Sequence, residues 1–224
     1  MLDIIYLDKE KTNMMIKFAD IDRAKKTIIR DDVITFCRVR DPFGGLSNMS
    51  PGYKITAPIK SETPIEIRTN EHFYQSLRYP DHIDHQIDII NNPSPMGCKC
   101  TCRKYAADER PDWMDVNIQV LEWCATLKLL QHWDTFGNLL DSTGDKDIVE
   151  ETNKYDFFWA CRRTKEDENK LYGSNIFGQI LMNIRKFYRE NRYKDIITLE
   201  PMNIPNFRFL GEDIIETTYV LHHK

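Results

Sequence analysis

The distribution of apolar and polar residues divides the chain into a strand-rich beginning and a mainly helical remainder. Over the first 68 residues, short apolar runs rich in strand-favouring side chains alternate with charged or glycine-containing turns. Runs of this length, bounded by turn residues, predict β-strands. The predicted strands cover residues 2–7, 14–18, 27–29, 33–39, 53–59 and 65–68.

Helical periodicity dominates after residue 69. Asn70 is expected to cap a helix that stops near Pro80. Ser94 is expected to open a second helix, and Pro111 to lie near the first position of a third. Apolar side chains at helical spacing continue the third helix and form a last helix over residues 179–192. These two stripes comprise Val116, Val120, Trp123, Cys124, Leu127 and Leu130, and then Ile180, Leu181, Ile184 and Phe187.

The pattern as a whole predicts one compact α+β domain, mostly helical, with short strands. A further strand is expected at residues 148–151, and one or two more after residue 193. There is no internal repeat, and no flexible linker is long enough to separate two domains. A chain of 224 residues can bury a sizeable core in a single domain.

Composition narrows the classes of function. The chain is 41% hydrophobic and 29% charged, a profile typical of a soluble globular protein. A net charge of −4 provides no broad attraction to nucleic acid or to an anionic membrane, although recognition of a single nucleotide stays open. No apolar run approaches the ~20 residues that span a bilayer, and the N-terminus lacks the pattern of a signal peptide. The six cysteines show no disulfide framework, which favours reduced thiols and a cytoplasmic location.

The predicted helix at Asn70 carries the most chemically suggestive side chains. Glu71 lies in its first turn, where the helix dipole favours a carboxylate, and Gln75 follows one turn later on the same face. With His72 they are suited to binding a polar ligand, or they belong to a capped surface helix. The loop at residues 41–52 contains Gly44 and Gly45, which permit close backbone approach to a ligand or simply form a turn.

Three other groups of residues are weaker candidates. His82 and His85 suggest a metal pair, but no Cys/His pattern at structural zinc spacing accompanies them, so we expect no metal. The cysteines at 98, 100 and 102 would scatter around a helix and are expected to be small buried side chains. Basic residues near the helix that Ser94 opens are candidates for binding phosphate or for a solvated face; they are Lys99, Arg103 and Lys104.

Eight segments occur in an order that chance would rarely produce. They are residues 41–50, 69–75, 94–99, 110–113, 139–144, 148–150, 156–159 and 173–185, which include Asn-Glu-His-Phe at 70–73 and Asp-Phe-Phe-Trp at 156–159. Together they resemble the NADAR family, also called YbiA-like. The resemblance implies a NADAR-type domain at residues 36–190, with an N-terminal extension of short strands at 1–35 and a C-terminal extension at 191–224.

The resemblance implies a hydrolase that cleaves N-glycosidic bonds. The known substrates of the family are phosphoribosylamino-pyrimidine intermediates of riboflavin synthesis and, in another branch, ADP-ribose attached to guanine in DNA. The expected partner is therefore a nucleotide-like small molecule or ADP-ribosylated DNA. This sequence departs from the family pattern at Cys98, at Ala160 and in a charged insertion at residues 162–170, and the last two departures could reshape the rim of the pocket.

Three residues are expected to carry the chemistry. Glu71 corresponds to the catalytic glutamate of the family and would activate water or stabilise an oxocarbenium ion. Asp156 would be a second carboxylate that orients water or ribose hydroxyls. Lys99 is a candidate for binding phosphate or for pairing with Glu71. No step requires a metal or a redox cofactor.

The remaining candidates would bind substrate. Trp159 is the best candidate for stacking on the base, with a core tryptophan as its alternative, and Trp113 is a poorer one. His72 would donate to the ligand, orient Glu71 or close a hydrogen bond in the core. The sugar-phosphate end would contact Phe43, Gly44, Ser47 and Asn48, while Gln75, Arg110 and Asn175 would hold loops together.

Two other classes of function stay open. A noncatalytic module that binds ADP-ribose or an NAD-like ligand would keep the pocket and would not need Glu71. A scaffold would need neither the pocket nor its charged side chains. The sequence leaves the base, the attached group and the oligomeric state open.

Overall fold

A computed structural model describes residues 20–221 and has the expected α+β architecture. The strands predicted at residues 2–7 and 14–18 lie outside the described residues. The helices are α1 (Asn70–Ser76), α2 (Ile83–Ile90), α3 (Pro95–Lys104), α4 (Trp113–Gln131), α5 (Trp133–Asp141) and α6 (Ile176–Asn191). The strands are β1 (Lys26–Ile29), β2 (Ile34–Phe36), β3 (Ile55–Thr56), β4 (Glu66–Ile67), β5 (Ile148–Glu150), β6 (Arg162–Arg163), β7 (Lys170–Gly173), β8 (Ile196–Leu199), β9 (Arg208–Phe209), β10 (Glu212–Asp213) and β11 (Thr217–Val220).

The strands form small separate sheets. β1, β7 and β6 make an antiparallel three-stranded sheet, whereas β3 pairs with β4, β8 with β11 and β9 with β10. β2 and β5 pair in parallel, with Phe36 opposite Glu150. The chain between them, residues 37–147, contains five of the helices. This long crossover brings the end of β5 next to elements that come much earlier in the chain.

Helix α4 lies at the centre of the main hydrophobic core. The apolar stripe that the sequence predicts for it is fully buried, and so are residues on its other faces, including Leu121 and Leu129. Helices α1, α5 and α6 pack around it. Burial of each large apolar side chain is worth about 1.5–3 kcal/mol, so this helix contributes strongly to the stability of the domain.

Helix α1 differs from its expected form at its first residue. Thr69, in extended backbone, is the N-cap, and its hydroxyl accepts a hydrogen bond from the amide of His72. The predicted cap, Asn70, is instead helical and donates to Asn48 Oδ1 at 2.5 Å. All seven residues of α1 are buried, so the helix is an internal element and the alternative of a capped surface helix is wrong.

The start of α3 is confirmed, and the start of α4 differs slightly. Ser94 caps α3 by accepting from the amide of Gly97 at 3.0 Å. Helix α4 begins at Trp113, so Pro111 lies before the N-cap residue Asp112 and outside the helix. The Asp112 carboxylate does not cap α4, because it accepts two hydrogen bonds from the Arg110 guanidinium, at 2.6 and 2.9 Å.

The segments after residue 160 join the same fold. The charged insertion forms the turn of the β6–β7 hairpin, where the amide of Thr164 donates to the carbonyl of Lys170 at 2.8 Å. Four strands follow α6, rather than one or two, and they bring Leu199, Phe209 and other apolar residues into the main core. No helix within residues 20–221 is long and apolar enough to cross a membrane.

Candidate active site

One cleft brings together most of the residues that the sequence singles out. It has a volume of about 360 Å³ and lies between α1, α3, the first half of α4, and the chain from β5 to residue 159. Of the twelve predicted site residues, seven line it: Asn48, Glu71, Gln75, Lys99, Trp113, Asp156 and Trp159. The cleft is also lined by residues that the sequence reasoning missed, namely Met49, Tyr74, Arg78, Met114, Asn117, Leu121, Glu150, Phe158 and Phe177.

Glu71 is the most firmly held carboxylate of the cleft. Only 4% of the residue is exposed, and its amide donates to the carbonyl of Asn48 at 2.9 Å. One carboxylate oxygen accepts from Asn48 Nδ2 at 2.6 Å and the other from Gln75 Nε2 at 2.9 Å. These hydrogen bonds fix the position and orientation of the Glu71 side chain at the wall of the cleft.

A chain of contacts orients Gln75 toward Glu71. The Gln75 side-chain oxygen accepts from Arg78 Nη1 at 2.9 Å, which requires the amide nitrogen to face Glu71. Arg78 is in turn held by Glu109, whose carboxylate accepts from Arg78 Nε at 2.7 Å. Gln75, Arg78 and Glu109 therefore act together to position the carboxylate of Glu71.

Lys99 provides the cation next to this carboxylate. Its Nζ lies 3.5 Å from Glu71 Oε1, and 42% of its side chain is exposed. The charge of Glu71 raises the pKa of Lys99, while burial acts in the opposite direction. Lys99 therefore stays protonated and places a positive charge beside Glu71 at the wall of the cleft.

Glu150 is the main cleft residue that the sequence reasoning did not identify. It ends β5, where alternation places Ile148 and Glu150 on one face of the strand and Val149 on the other. The pKa of Glu150 is raised to about 8, mainly by burial, with Glu71 and Asp156 acting in the same direction and Lys99 opposing them. The sequence offered one signal for this residue: Glu150 lies on the same face of the predicted strand as the apolar residue Ile148.

Asp156 and Trp159 belong to one tight turn. The Asp156 Oδ1 accepts from the backbone amides of Phe158 at 3.2 Å and Trp159 at 3.0 Å. This turn sets the position of the Trp159 ring, which is partly buried and lies edge-on to Tyr74, with ring centroids 6.3 Å apart and planes at 76°. The second oxygen of Asp156 makes no hydrogen bond within the described part of the chain.

Trp113 is more enclosed than Trp159. It is 4% exposed and packs against Tyr74, with centroids 5.2 Å apart. The guanidinium of Arg78 lies over its ring at 5.2 Å. Trp113 therefore forms part of the floor of the cleft and supports the residues that hold Glu71.

His72 points away from the cleft. It is fully buried, its Nε2 lies 3.0 Å from the carbonyl of Asn92, and its Nδ1 lies 2.7 Å from Thr69 Oγ1. The carbonyl can only accept, so Nε2 carries the proton and Nδ1 accepts from the threonine hydroxyl. Burial lowers the pKa of His72, which keeps it neutral. Of its three expected roles, the geometry matches a hydrogen bond that closes the core.

Asn175 also lies outside the cleft but positions one of its walls. Its backbone is in the left-handed region, with φ of 52°. The side chain donates to the carbonyl of Ile148 at 2.8 Å and accepts from the amide of Glu150 at 3.2 Å. Asn175 thus joins the start of α6 to β5, consistent with holding a loop rather than binding ligand.

Of the four residues predicted to contact the sugar-phosphate end, only Asn48 lines the cleft. Gly44 is required by packing, since a Cβ atom there would collide with the carbonyls of Arg38 and Val39. The Ser47 hydroxyl accepts from the amide of Met49 at 3.2 Å. Phe43 lines a different depression. Gly44, Ser47 and Phe43 therefore act away from any ligand in the cleft.

Two further predictions concern residues outside the cleft. Arg110 is 7% exposed and paired with Asp112, which is consistent with holding a loop. His82 and His85 stack with centroids 4.8 Å apart, and His85 contacts Asp108 at 2.8 Å. Among residues 20–221, no group of three or more His, Cys, Asp and Glu side chains is arranged to hold a metal ion.

Comparison with known proteins identifies the family. A model of the NADAR domain matches residues 35–189, more than half of the chain, and the protein therefore belongs to the NADAR family. The E. coli protein YbiA, solved by NMR, has the same fold with a TM-score of 0.57 at 24% identity, over 75% of this chain and 90% of YbiA.

Two curated relatives carry names from riboflavin biosynthesis. The Vibrio vulnificus "Riboflavin biosynthesis protein VVA0006" is 28% identical over 123 residues, which are 55% of this chain and 31% of that protein. The Zea mays "Riboflavin biosynthesis protein PYRR, chloroplastic" is 26% identical over 163 residues, which are 69% of this chain and 25% of that protein. This chain thus spans less than a third of the length of either relative.

Proposed function

We propose that this protein is an N-glycosidase that hydrolyses the bond between C1′ of a ribose and the nitrogen of a base. The observation that carries the proposal is the environment of Glu71, a buried carboxylate with two side-chain N–H donors and Lys99 at 3.5 Å, at the wall of a cleft. Such a group, held in place before substrate arrives, is what attack on C1′ needs.

The chemistry assigns a role to each held group. Cleavage of the C1′–N bond develops positive charge on the ribose, and a fixed carboxylate stabilises that charge or accepts a proton from the attacking water. Glu71 is suited to both. Lys99 places a positive charge beside Glu71 and can also contact an anionic group of the substrate, because 42% of its side chain is exposed.

Asp156 and Trp159 would bind the ribose and the base. The free oxygen of Asp156 can accept hydrogen bonds from ribose hydroxyls, and the fixed turn keeps it next to the Trp159 ring. Stacking of a base on an aromatic side chain is worth about 1–3 kcal/mol. Tyr74 supports the ring from its edge.

The size of the cleft and the relatives favour a small ribosylated base. A volume of about 360 Å³ lies near the lower end of the range for small-molecule sites, roughly 300–1,000 Å³. It suits one nucleotide better than a larger assembly. The two relatives named for riboflavin biosynthesis support a phosphoribosylamino-pyrimidine, with ADP-ribose attached to guanine in DNA as the other substrate class.

The test is product release from two substrates by the wild type and by Glu71→Gln. One substrate is a phosphoribosylamino-pyrimidine, and the other is an oligonucleotide with ADP-ribosylated guanine. We expect wild-type cleavage of the first and loss of that cleavage in the variant. Release from the second alone would move the substrate to nucleic acid. Binding of either ligand with no cleavage by the wild type would support the noncatalytic module instead.

A further inference from the structure

The three carboxylates of the cleft differ in the hydrogen bonds that they receive. Glu71 accepts from two side-chain amides and lies beside Lys99, and one oxygen of Asp156 accepts from two backbone amides. The carboxyl group of Glu150 receives no hydrogen bond from any described residue, although it lines the same cleft. Donors stabilise an ionised carboxylate, and their absence beside two other acids favours the neutral form.

The proposed reaction needs a proton at the departing nitrogen. An amine that leaves C1′ as an anion is a poor leaving group, so protonation during bond cleavage lowers the barrier. Lys99 is a poor source of this proton, because Glu71 raises its pKa. In the proposed reaction Glu71 accepts the proton of the attacking water and Asp156 binds ribose hydroxyls, so a separate group has to supply this proton.

We propose that Glu150, in its protonated form, is the general acid that transfers a proton to the nitrogen leaving C1′. The inference rests on the proposed N-glycosidase function and adds a second catalytic carboxyl group to it. Two acids in one site are thereby kept in opposite protonation states by their surroundings, the arrangement that glycoside hydrolysis uses.

The step balances in atoms and charge. The electron pair of the C1′–N bond moves to nitrogen, which takes the proton of Glu150 and leaves as a neutral amine. Water adds its oxygen to C1′, and Glu71 accepts the proton that this water loses. At the end Glu150 is ionised and Glu71 is protonated, and exchange with solvent restores both before the next turnover.

The surroundings of Glu150 fit this cycle. Burial raises its pKa to about 8, with Glu71 on α1 and Asp156 on the following loop acting in the same direction, so the resting group is largely protonated at pH 7. Lys99 on α3 opposes that effect and would stabilise the carboxylate formed after proton transfer. Arg78 and Tyr74 complete the ionisable groups lining the cleft.

The backbone of Glu150 is fixed on both sides. Its amide donates to Asn175 Oδ1 at 3.2 Å, and its carbonyl accepts from the amide of Cys161 at 2.8 Å. Its strand is paired with β2. The side chain therefore projects from a rigid element, which a group that transfers a proton at a defined atom requires.

The test compares Glu150→Gln with the wild type on two leaving groups. The substrates are a phosphoribosylamino-pyrimidine and its 5-nitro analogue, whose amine leaves more readily and needs less assistance. General acid catalysis is worth about 10²–10⁴-fold. We expect Glu150→Gln to lower kcat about 10³-fold on the first substrate and less than tenfold on the second. KM should change little.

A pH profile supplies the second readout. The wild type should lose kcat as pH rises past about 8, because Glu150 loses its proton. Glu150→Gln should lack that alkaline limb. Equal losses of kcat on both substrates, or an alkaline limb that persists in the variant, would overturn the assignment.

Matched variants separate this assignment from the proposed function. Glu122 is a partly buried glutamate on α4 whose pKa is also raised, to about 7, by burial. It does not line the cleft, so Glu122→Gln should cleave both substrates at the wild-type rate. If Glu71→Gln were fully active, the N-glycosidase proposal would fail. If Glu71→Gln lost activity but Glu150→Gln behaved as the wild type, the N-glycosidase proposal would stand and Glu150 would not be its general acid.

Discussion

The two walls of the cleft are built in different ways. On the wall formed by α1 and α3, Glu71 is connected through Gln75 to Arg78 and Glu109, and Lys99 lies beside it. On the wall formed by β5 and the following turn, backbone contacts fix the chain, and the side chains of Glu150, Asp156 and Trp159 line the cleft. The first wall thus holds a charge, and the second presents a neutral acid, a free carboxylate oxygen and an aromatic ring.

This difference shows how one site can keep two carboxyl groups in different states. Two side-chain donors and Lys99 surround the carboxylate of Glu71, whereas burial and neighbouring acids favour the proton on Glu150. The proposed roles match this difference. Glu71 has to keep a fixed position, whereas Asp156 needs an oxygen that is free to accept a hydrogen bond from the ligand. Substitutions that remove one contact at a time can test whether the two walls act separately.

The largest effect is expected for Glu71→Gln. The amide cannot accept a proton from water and carries no charge, so kcat on the preferred substrate should fall about 10³-fold. Steady-state kinetics with the purified variant would measure this loss, and circular dichroism would confirm that the fold persists. A variant that keeps more than a tenth of the wild-type rate would remove Glu71 from the chemistry.

Trp159→Ala should weaken substrate binding on the opposite wall. Loss of a stacking contact worth about 1–3 kcal/mol corresponds to a KM raised about 10–100-fold. Trp159→Phe keeps an aromatic face and should stay within about fivefold of the wild type. If the alanine variant bound substrate normally but unfolded at a lower temperature, the ring would belong to the core, as its alternative role predicts.

Lys99→Met removes the cation beside Glu71 while keeping an unbranched side chain of similar length. A contact with a charged group is worth about 1.5–3 kcal/mol, so the rate should fall about 30-fold. Lys99→Arg retains the charge and should recover part of the rate. Equal rates for Met and Arg would show that the charge of Lys99 has no role in turnover.

Gln75→Leu tests the chain of contacts behind Glu71. The substitution removes the donor to Glu71 and the acceptor for Arg78, and we expect about a tenfold loss of kcat. Asn117, which lines the cleft without contacting Glu71, offers a control in Asn117→Leu. A similar loss in both variants would indicate a general disturbance of the cleft.

The smallest effect concerns stability as a function of pH. A carboxyl group whose pKa is raised by folding contributes stability that is complete below about pH 4.5 and is lost as pH rises through its folded value. The folded values are about 8 for Glu150 and about 7 for Glu122. Both Gln variants should therefore match the wild type near pH 4 and exceed its melting temperature at pH 9. Identical melting curves at pH 9 would contradict the raised pKa of Glu150.

Local patterns in the sequence predicted the elements that depend on local interactions. The stripe of α4 and the cap of α3 at Ser94 follow from periodicity and from the chemistry of one side chain. Asn70 and Asp112 have equally good local chemistry for capping, but each is bound by a distant or flanking partner, Asn48 and Arg110 respectively. Tertiary contacts decide such cases, and no local pattern contains them.

The candidate site was predictable to a similar degree. Glu71, Lys99 and Asp156 were found because they lie in motifs that resemble a family, and the structure brings them to one cleft. Glu150 was missed because its significance depends on a parallel pairing between β2 and β5 across residues 37–147. Gly44 and Ser47 serve contacts within their own loop. A glycine or serine in the sequence looks the same whether it serves such contacts or binds a ligand.

The most direct test of the proposed reaction is the fate of solvent oxygen. The wild type would be incubated with a phosphoribosylamino-pyrimidine in H₂¹⁸O, and both products analysed by mass spectrometry immediately after quenching. Attack at C1′ predicts one ¹⁸O in the ribose phosphate and none in the pyrimidine. The label in the ribose phosphate should exceed that of a control in which unlabelled product is incubated in H₂¹⁸O. Label in the pyrimidine would mean that water attacks the base and that the protein is not an N-glycosidase.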